Sequence, residues 1–249
     1  MEVTKRDVYY MDTNLFIEQK QVDWALDVIA RIEGVPSDSL GIISRPNGLA
    51  YGSLFLSTID YKEMVRPAAV VDAEVLIFPD VVLIVEKEAV FHTLQQEHCK
   101  LEMETNNKLL LVTGKGYPSM ATRRFLHWLY LSSSRTRFYV LVDYDPYGYE
   151  IALHYRLGGA KPSELALQDL QLLGVLRGQL DAQSGTRDGS RHELGKREKQ
   201  RRKGLEEKAR LAEWADMERA LKELYEGGFG TEIESLNELT NVIIQSFKP

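Results

Sequence analysis

Phe138-Tyr-Val-Leu-Val-Asp-Tyr-Asp-Pro-Tyr-Gly148 runs from an apolar, β-branched segment directly into two acids, a proline and a glycine. The first five residues, Phe138 to Val142, predict a buried strand. Asp143 and Asp145 then fall at its carboxyl end, where ligands collect in open α/β sheets. Their i, i+2 spacing directs both side chains to the same side of an extended chain. Pro146 and Gly148 predict a sharp turn away, before a helix over about Tyr149 to Leu157.

The same grammar repeats upstream. Val81-Val-Leu-Ile-Val85 is a continuous apolar run suited to a strand covered on both faces of a parallel sheet. Glu86 closes it, and a helix is expected over about Lys87 to His98. Leu109-Leu-Leu-Val-Thr113 is another strand. The loop Gly114-Lys-Gly-Tyr-Pro118 follows it, then a helix carrying Arg123, Leu126 and Leu129. Strands alternating with helices through short loops predict an α/β domain with a parallel sheet from about residue 75 onward.

Glu86, Asp143 and Asp145 therefore stand at the ends of two strands of one sheet. Three hard oxygen donors with no histidine or cysteine expected nearby suit Mg2+, which binds through a few carboxylates, waters and a substrate phosphate. Each acid taken singly also suits a helix cap or a turn. Glu88 is a competing ligand, placed in the first turn of the next helix. The Gly114–Pro118 loop can cradle a phosphate on its backbone amides, with Lys115 adding positive charge.

Toward the N-terminus, Thr13 to Glu33 reads as a helix with Val22, Leu26 and Ile29 on one stripe. Gly34 and Pro36 are its stop signals. Short strand-like runs follow at 40–43 and 49–56, punctuated by Pro46-Asn47-Gly48 and Gly52. A helix followed by a small hairpin is the pattern of a winged helix. Arg6 and Tyr10 are four apart and share a face if that segment is helical. A guanidinium beside a phenol can hold a phosphate, and the phenol can serve as a covalent nucleophile. Tyr9 and Tyr10 equally suit packing aromatics.

Beyond the central strands, 158–162 reads as a connector and Leu165 to Leu176 as a segment packed back on the sheet. Residues 184–190 read as a polar loop. Glu193 to Glu226 is highly charged and helical in character, ended by Gly227-Gly228. Thr231 is expected to cap a final helix, with Glu234 three residues on.

Composition sets broad limits. The 249 residues are 44% hydrophobic and 27% charged, ordinary for a globular chain. No apolar run approaches the roughly 20 residues of a membrane span. Cys99 is the only cysteine, so no disulfide framework exists and a reducing compartment fits best. The net charge of −6 argues mildly against nucleic-acid binding. Local charge matters more, and basic patches lie at Lys5-Arg6 and from Arg191 to Lys203. That second run suits either a phosphate backbone or a solvated helix face.

Together these segments resemble the archaeal and plant type IIB topoisomerase, topoisomerase VI, in its A-type chain, and a relative of that chain, the meiotic double-strand-break transesterase (sporulation-eleven) family. Thr4-Lys-Arg-Asp-Val-Tyr-Tyr10 resembles the family's tyrosine motif, extended by Leu15-Phe16, Gln19 and Val22-Asp23. Ser44 to Gly52 is similar to its wing segment, and Leu83 to Phe91 to its acid-bearing strand. Thr113 to Pro118 with Thr122-Arg123, and Val142 to Gly148, match two specific signatures in order and spacing. Leu173-Gly174 and Glu232 to Leu236 carry a weaker match.

The resemblance implies a mixed α+β chain. It would hold a winged-helix domain over 1–70, N-terminally incomplete because nine residues precede Tyr10. A Toprim domain with a C-terminal helical extension would follow over 75–249. It implies Tyr10 as nucleophile, Arg6 as its support, and Glu86, Asp143 and Asp145 as metal ligands. Lys5 and Lys115 are the matching DNA contacts. It further implies double-stranded DNA as substrate, a 5′-phosphotyrosyl product and a separate B-type ATPase partner. The working form would be a nuclear homodimer, each tyrosine acting at the metal site of the other copy. A phenol titrates at about 10, so attack at neutral pH needs help from metal ions and Arg6. Two other readings stand beside this one. One is a catalytically weak DNA-binding or assembly protein from a truncated gene model. The other is a Toprim phosphodiesterase or primase-like enzyme without a tyrosine nucleophile.

Overall fold

Val81–Val85 (β6) has all five residues buried because it lies between two parallel neighbours. The structure, a computed structural model, describes residues 3–13, 15–34, 40, 42–43, 48–56, 64, 67, 75–159, 162–173, 191–233 and 239–247. The neighbours of β6 are Leu109–Thr113 (β7) and Arg137–Leu141 (β8). Leu49–Gly52 (β3) pairs antiparallel with β7 at one edge, and Gln171–Leu172 (β9) pairs parallel with β8 at the other. The order is β3-β7-β6-β8-β9. Strands covered on both faces need no polar alternation, which is why β6 and β7 read as unbroken apolar runs.

Helices cover this sheet. Glu88–Gln96 (α3) and His98–Thr105 (α4) replace the single helix expected over 87–98. Met120–Ser132 (α5) begins at Ser119, whose hydroxyl accepts the Thr122 N–H at 3.3 Å, and buries Phe125, Leu126 and Leu129. Pro146–Leu157 (α6) begins earlier than expected. Pro146 and Gly148 do not turn the chain away; they form the first helical turn, which proline's fixed φ favours. Leu167 and Leu170 pack into the core, as the apolar 165–176 segment suggests, with residues from 174 on outside the described set.

The charged segment forms two helices, Lys196–Leu211 (α7) and Ala215–Gly227 (α8), after the short strand Arg191–Glu193 (β10). Glu213 at φ 49° breaks them apart, and Trp214 is buried. Gly228 at φ 74° ends α8 in the left-handed conformation glycine permits. Thr231 is not a helix cap. It ends strand Phe229–Thr231 (β11), antiparallel to β10, because the ladder to Arg191 takes its backbone. Leu239–Phe247 (α9) starts later, and Glu234 lies outside the described residues. The 184–190 loop lies outside them too. No helix among the described residues is long and apolar enough to cross a membrane.

By compactness the chain divides into Met1–Pro46 and Asn47–Pro249, earlier than the 70/75 division read from sequence. The physical reason is β3. In place of the hairpin expected from the runs at 40–43 and 49–56, Ile42–Ile43 pairs with Val3–Thr4, β3 joins the large sheet, and Phe55–Leu56 (β4) pairs with Val75–Ile77 (β5).

The first unit holds Val3–Thr4 (β1), Lys5–Met11 (α1), Gln19–Glu33 (α2) and Ile42–Ile43 (β2), with β1 parallel to β2. The helix expected from Thr13 starts only at Gln19. The Asp12 carboxylate accepts the Leu15 N–H at 3.0 Å and the Gln21 side chain accepts the Ile17 N–H at 2.7 Å, so these groups bind side chains in place of a helical ladder. Val22 and Leu26 are buried, but Ile29 is 45% exposed and leaves the expected stripe. Gly34, at φ 65°, follows the helix as its stop. Pro36 and Pro46-Asn47 lie outside the described residues.

Candidate metal centre at the strand ends

Three backbone hydrogen bonds hold Glu86 at the end of β6. Its N–H donates to Leu141 O of β8 at 3.0 Å. Its carbonyl accepts the Gly116 N–H at 2.9 Å and the Thr113 hydroxyl at 3.3 Å. The Glu86 carboxylate then accepts the Asp143 N–H at 2.9 Å, tying the ends of β6 and β8 together. Gly148 permits this approach. A Cβ there would stand 2.5 Å from Asp143 O and 3.0 Å from Glu86 Oε2.

Asp143 is nearly buried, and two groups hold its carboxylate. Oδ1 accepts the Ile233 N–H at 2.9 Å, and Oδ2 pairs with Lys87 Nζ at 3.1 Å. Lys87 also reaches Glu232 at 3.2 Å. Asp145 is the N-cap of α6, its Oδ1 accepting the Gly148 N–H at 2.7 Å. The cap reading of Asp145 thus holds, and its other carboxylate oxygen takes no part in that contact.

Burial and like charge act on Glu86 and Asp143. Burial, then the charges of Asp143 and Asp145, raise Glu86 from the usual carboxylate range to about 7. Burial also raises Asp143, opposed by the Ile233 N–H and Lys87. A divalent cation would relieve what burial and like charge impose, so this all-oxygen donor set fits a hard ion.

A further group lies beside it. Asp145, His192 and Glu198 place ligand atoms within 4.8 Å of one another, an arrangement able to hold a metal ion. Sequence reading missed His192, Glu198 and Lys87. The first two come from β10 and α7, and no local spacing links them to Asp145.

Glu88 is exposed and pairs with Lys115 at 2.7 Å, so this competing ligand faces the loop lysine. Lys115 itself sits at φ 55° in the turn after β7. In the basic run, Arg201 pairs with Glu150, which also takes Lys208 from further along the helix, and Arg201 lies 4.4 Å over the Tyr147 ring. Arg202 pairs with Glu206 at 2.7 Å. Arg201 and Arg202 are thus matched by neighbouring carboxylates.

In the first unit, α1 carries Lys5, Arg6 and Tyr10, and the helix puts positions 6 and 10 on one face. The Tyr10 ring is 60% exposed and meets Tyr9 edge to face at 5.1 Å.

Residues 81–247 match the Toprim domain family of Spo11 and the topoisomerase 6 A-type chain. Residues 1–42 match the family described as "Type IIB DNA topoisomerase". The chain belongs to the Spo11 and topoisomerase 6 A-type family. Its second unit, a largely parallel sheet dressed with helices, is accordingly a Toprim domain. Over 189 residues the chain is 32% identical to "Meiotic recombination protein SPO11-1" of Oryza sativa subsp. indica, covering 69% of this chain and 48% of that protein. It is 33% identical to the SPO11-1 protein of Arabidopsis thaliana over 187 residues, 69% and 50% of the two chains. It is 30% identical to the A-type chain of DNA topoisomerase 6 from Arabidopsis thaliana over 195 residues, 73% and 44%. The chain spans about half the length of the curated relatives it matches.

Proposed function

We propose that this chain cleaves double-stranded DNA by tyrosine transesterification and initiates meiotic recombination in the nucleus. The observation that carries the reading is the meeting of Glu86 with Asp143 beside Asp145, in a chain of this family. In this reading Glu86, Asp143 and Asp145 hold Mg2+. A bound ion would supply positive charge to the phosphate and to the leaving oxygen.

Tyr10 Oη attacks phosphorus and forms the new phosphoester bond. The bond from phosphorus to the 3′-oxygen breaks, and the phenolic proton ends on that oxygen. The product is a 3′-hydroxyl and a 5′-phosphotyrosyl link. Arg6 steadies the phosphate, and Lys5 and Lys115 contact the backbone. The residues of the first unit are assigned to a winged-helix domain. Two copies act on the two strands, each tyrosine at the acids of the other copy, since a two-fold dimer matches a duplex. ATP use belongs to a B-type partner chain. Placement of Arg6 and Tyr10 on one helix, with the phenol ring exposed, supports the assignment.

The test is denaturing recovery of the full chain from meiotic cells, followed by end-labelling of attached DNA. Wild type should carry short labelled DNA and Tyr10→Phe none. Adducts that survive in Tyr10→Phe and vanish in Tyr9→Phe would move the nucleophile. Failure to recover DNA with either tyrosine intact would favour an assembly role.

A further inference from the structure

We propose that Asp145, His192 and Glu198 form a second ion position, separate from Glu86 and Asp143, that takes a first-row transition-metal dication in preference to Mg2+. The inference rests on the preceding reading only in giving Glu86 and Asp143 an ion, with Asp145 shared between that ion and the second.

Two independent pieces of backbone deliver His192 and Glu198 to Asp145. His192 is the middle residue of β10 and faces Gly230 of β11 in register. A Cβ at residue 230 would stand 2.5 Å from His192 Cε1 and 2.7 Å from Nε2, so glycine leaves room for the ring across the ladder. β11 is in turn bound to the residue just before Asp145. Tyr144 N–H donates to Thr231 O at 2.9 Å, and Thr231 N–H donates to Tyr144 O at 3.0 Å. The ladder thus indexes the imidazole against the aspartate. Glu198 arrives from the first turn of α7, where its Oε2 accepts the Gly195 N–H at 2.7 Å. Its Oε1 lies 3.3 Å from His192 Nε2.

The ligand atoms lie within 4.8 Å of one another. Nitrogen and oxygen ligands at about 2.1 Å from one ion are at most about 4.2 Å apart, so the trio needs to close by only about half an ångström. The imidazole decides the kind of ion. Magnesium favours oxygen donors and holds its waters, whereas imidazole nitrogen suits transition metals. The side chain of His192 is 43% exposed, leaving coordination positions open to solvent or to a phosphate oxygen. The Asp145 charge also acts on Glu86 and Asp143.

The experiment uses the full chain, with Mn2+ as probe. Calorimetry gives the number of ions, and pulsed electron paramagnetic resonance reads coupling of Mn2+ to an imidazole nitrogen. Wild type should bind two Mn2+, one showing nitrogen coupling that excess Mg2+ displaces poorly. His192→Ala should abolish the coupling and weaken that ion by about tenfold or more. Glu198→Gln, which keeps the ring, should weaken the same ion while the other stays. Glu86→Gln should weaken the uncoupled ion and leave the coupling. Absence of nitrogen coupling in wild type, its persistence in His192→Ala, or equal displacement by Mg2+ overturns the proposal. Loss of coupling in Glu86→Gln also overturns it, because the two positions would then be one. If Glu86→Gln alters neither ion, the assignment of Glu86 fails while the His192 position stands.

Discussion

The Glu86 carboxylate accepts the backbone N–H of Asp143 at 2.9 Å, so one acid of the site is fastened to the main chain of the next. A carboxylate held this way, half-buried and beside two further acids, is relieved of its charge by a proton or by a cation. That choice sets the pH behaviour.

Glu86 titrates at about 7 in the folded chain against 4.5 ordinarily. Between those values the folded chain keeps a proton that the unfolded chain has released. Stability from this group therefore falls as pH rises through that window, by roughly 3 kcal/mol in full. His154 works the other way. Burial lowers it from 6.5 to about 4, so the unfolded chain holds the extra proton there and stability rises with pH. Urea midpoints from pH 4.5 to 8, wild type minus Glu86→Gln, isolate the Glu86 part. The difference should slope down with rising pH, and Mn2+ should flatten it. A level difference without metal would sink the account.

Asp145 permits a clean separation of its two duties. Asn is as good an N-cap as Asp, so Asp145→Asn should melt within a degree or two of wild type yet lose metal affinity. Asp145→Ala should lose both, with about 1 kcal/mol gone from stability. Equal stability of the two variants would show that the 2.7 Å contact with Gly148 contributes nothing.

Lys87 competes with any cation for Asp143 Oδ2, 3.1 Å away. Replacing it in Lys87→Met should tighten Mn2+ binding at pH 8 by about three- to tenfold, corresponding to roughly 1 kcal/mol for a partly exposed pair. Weaker binding in titration calorimetry would mean that the lysine orients the aspartate and does not obstruct it.

Gly148→Ala places a methyl group 2.5 Å from Asp143 O and 2.9 Å from its N. Helix propensity favours alanine by about 1 kcal/mol, but crowding should outweigh it and leave a net loss of about 1–3 kcal/mol. Denaturant unfolding measures the loss. A stabilised variant would show that the acid-bearing loop can move aside.

Sequence made the centre of the sheet legible because β6, β7 and β8 are apolar throughout, and such runs have few other uses. Glu86 and the two aspartates followed, each being the next thing the chain does. Pairing partners were not legible. Leu49 to Gly52 is strand-like, but nothing local says it pairs with β7 some sixty residues later instead of with its neighbour. Gln171–Leu172 is too short to show any period. Thr231 satisfied a capping pattern that the ladder with β10 overrides. His192 and Glu198 reach Asp145 only through that ladder and α7, so their proximity is a property of tertiary structure alone.

Ile233 reaches back ninety residues to fix the Asp143 carboxylate. At about 5–20 residues per second, a ribosome completes both aspartates roughly 5–20 s before it reaches that isoleucine. The last hydrogen-bond donor to the Asp143 carboxylate thus arrives late in synthesis.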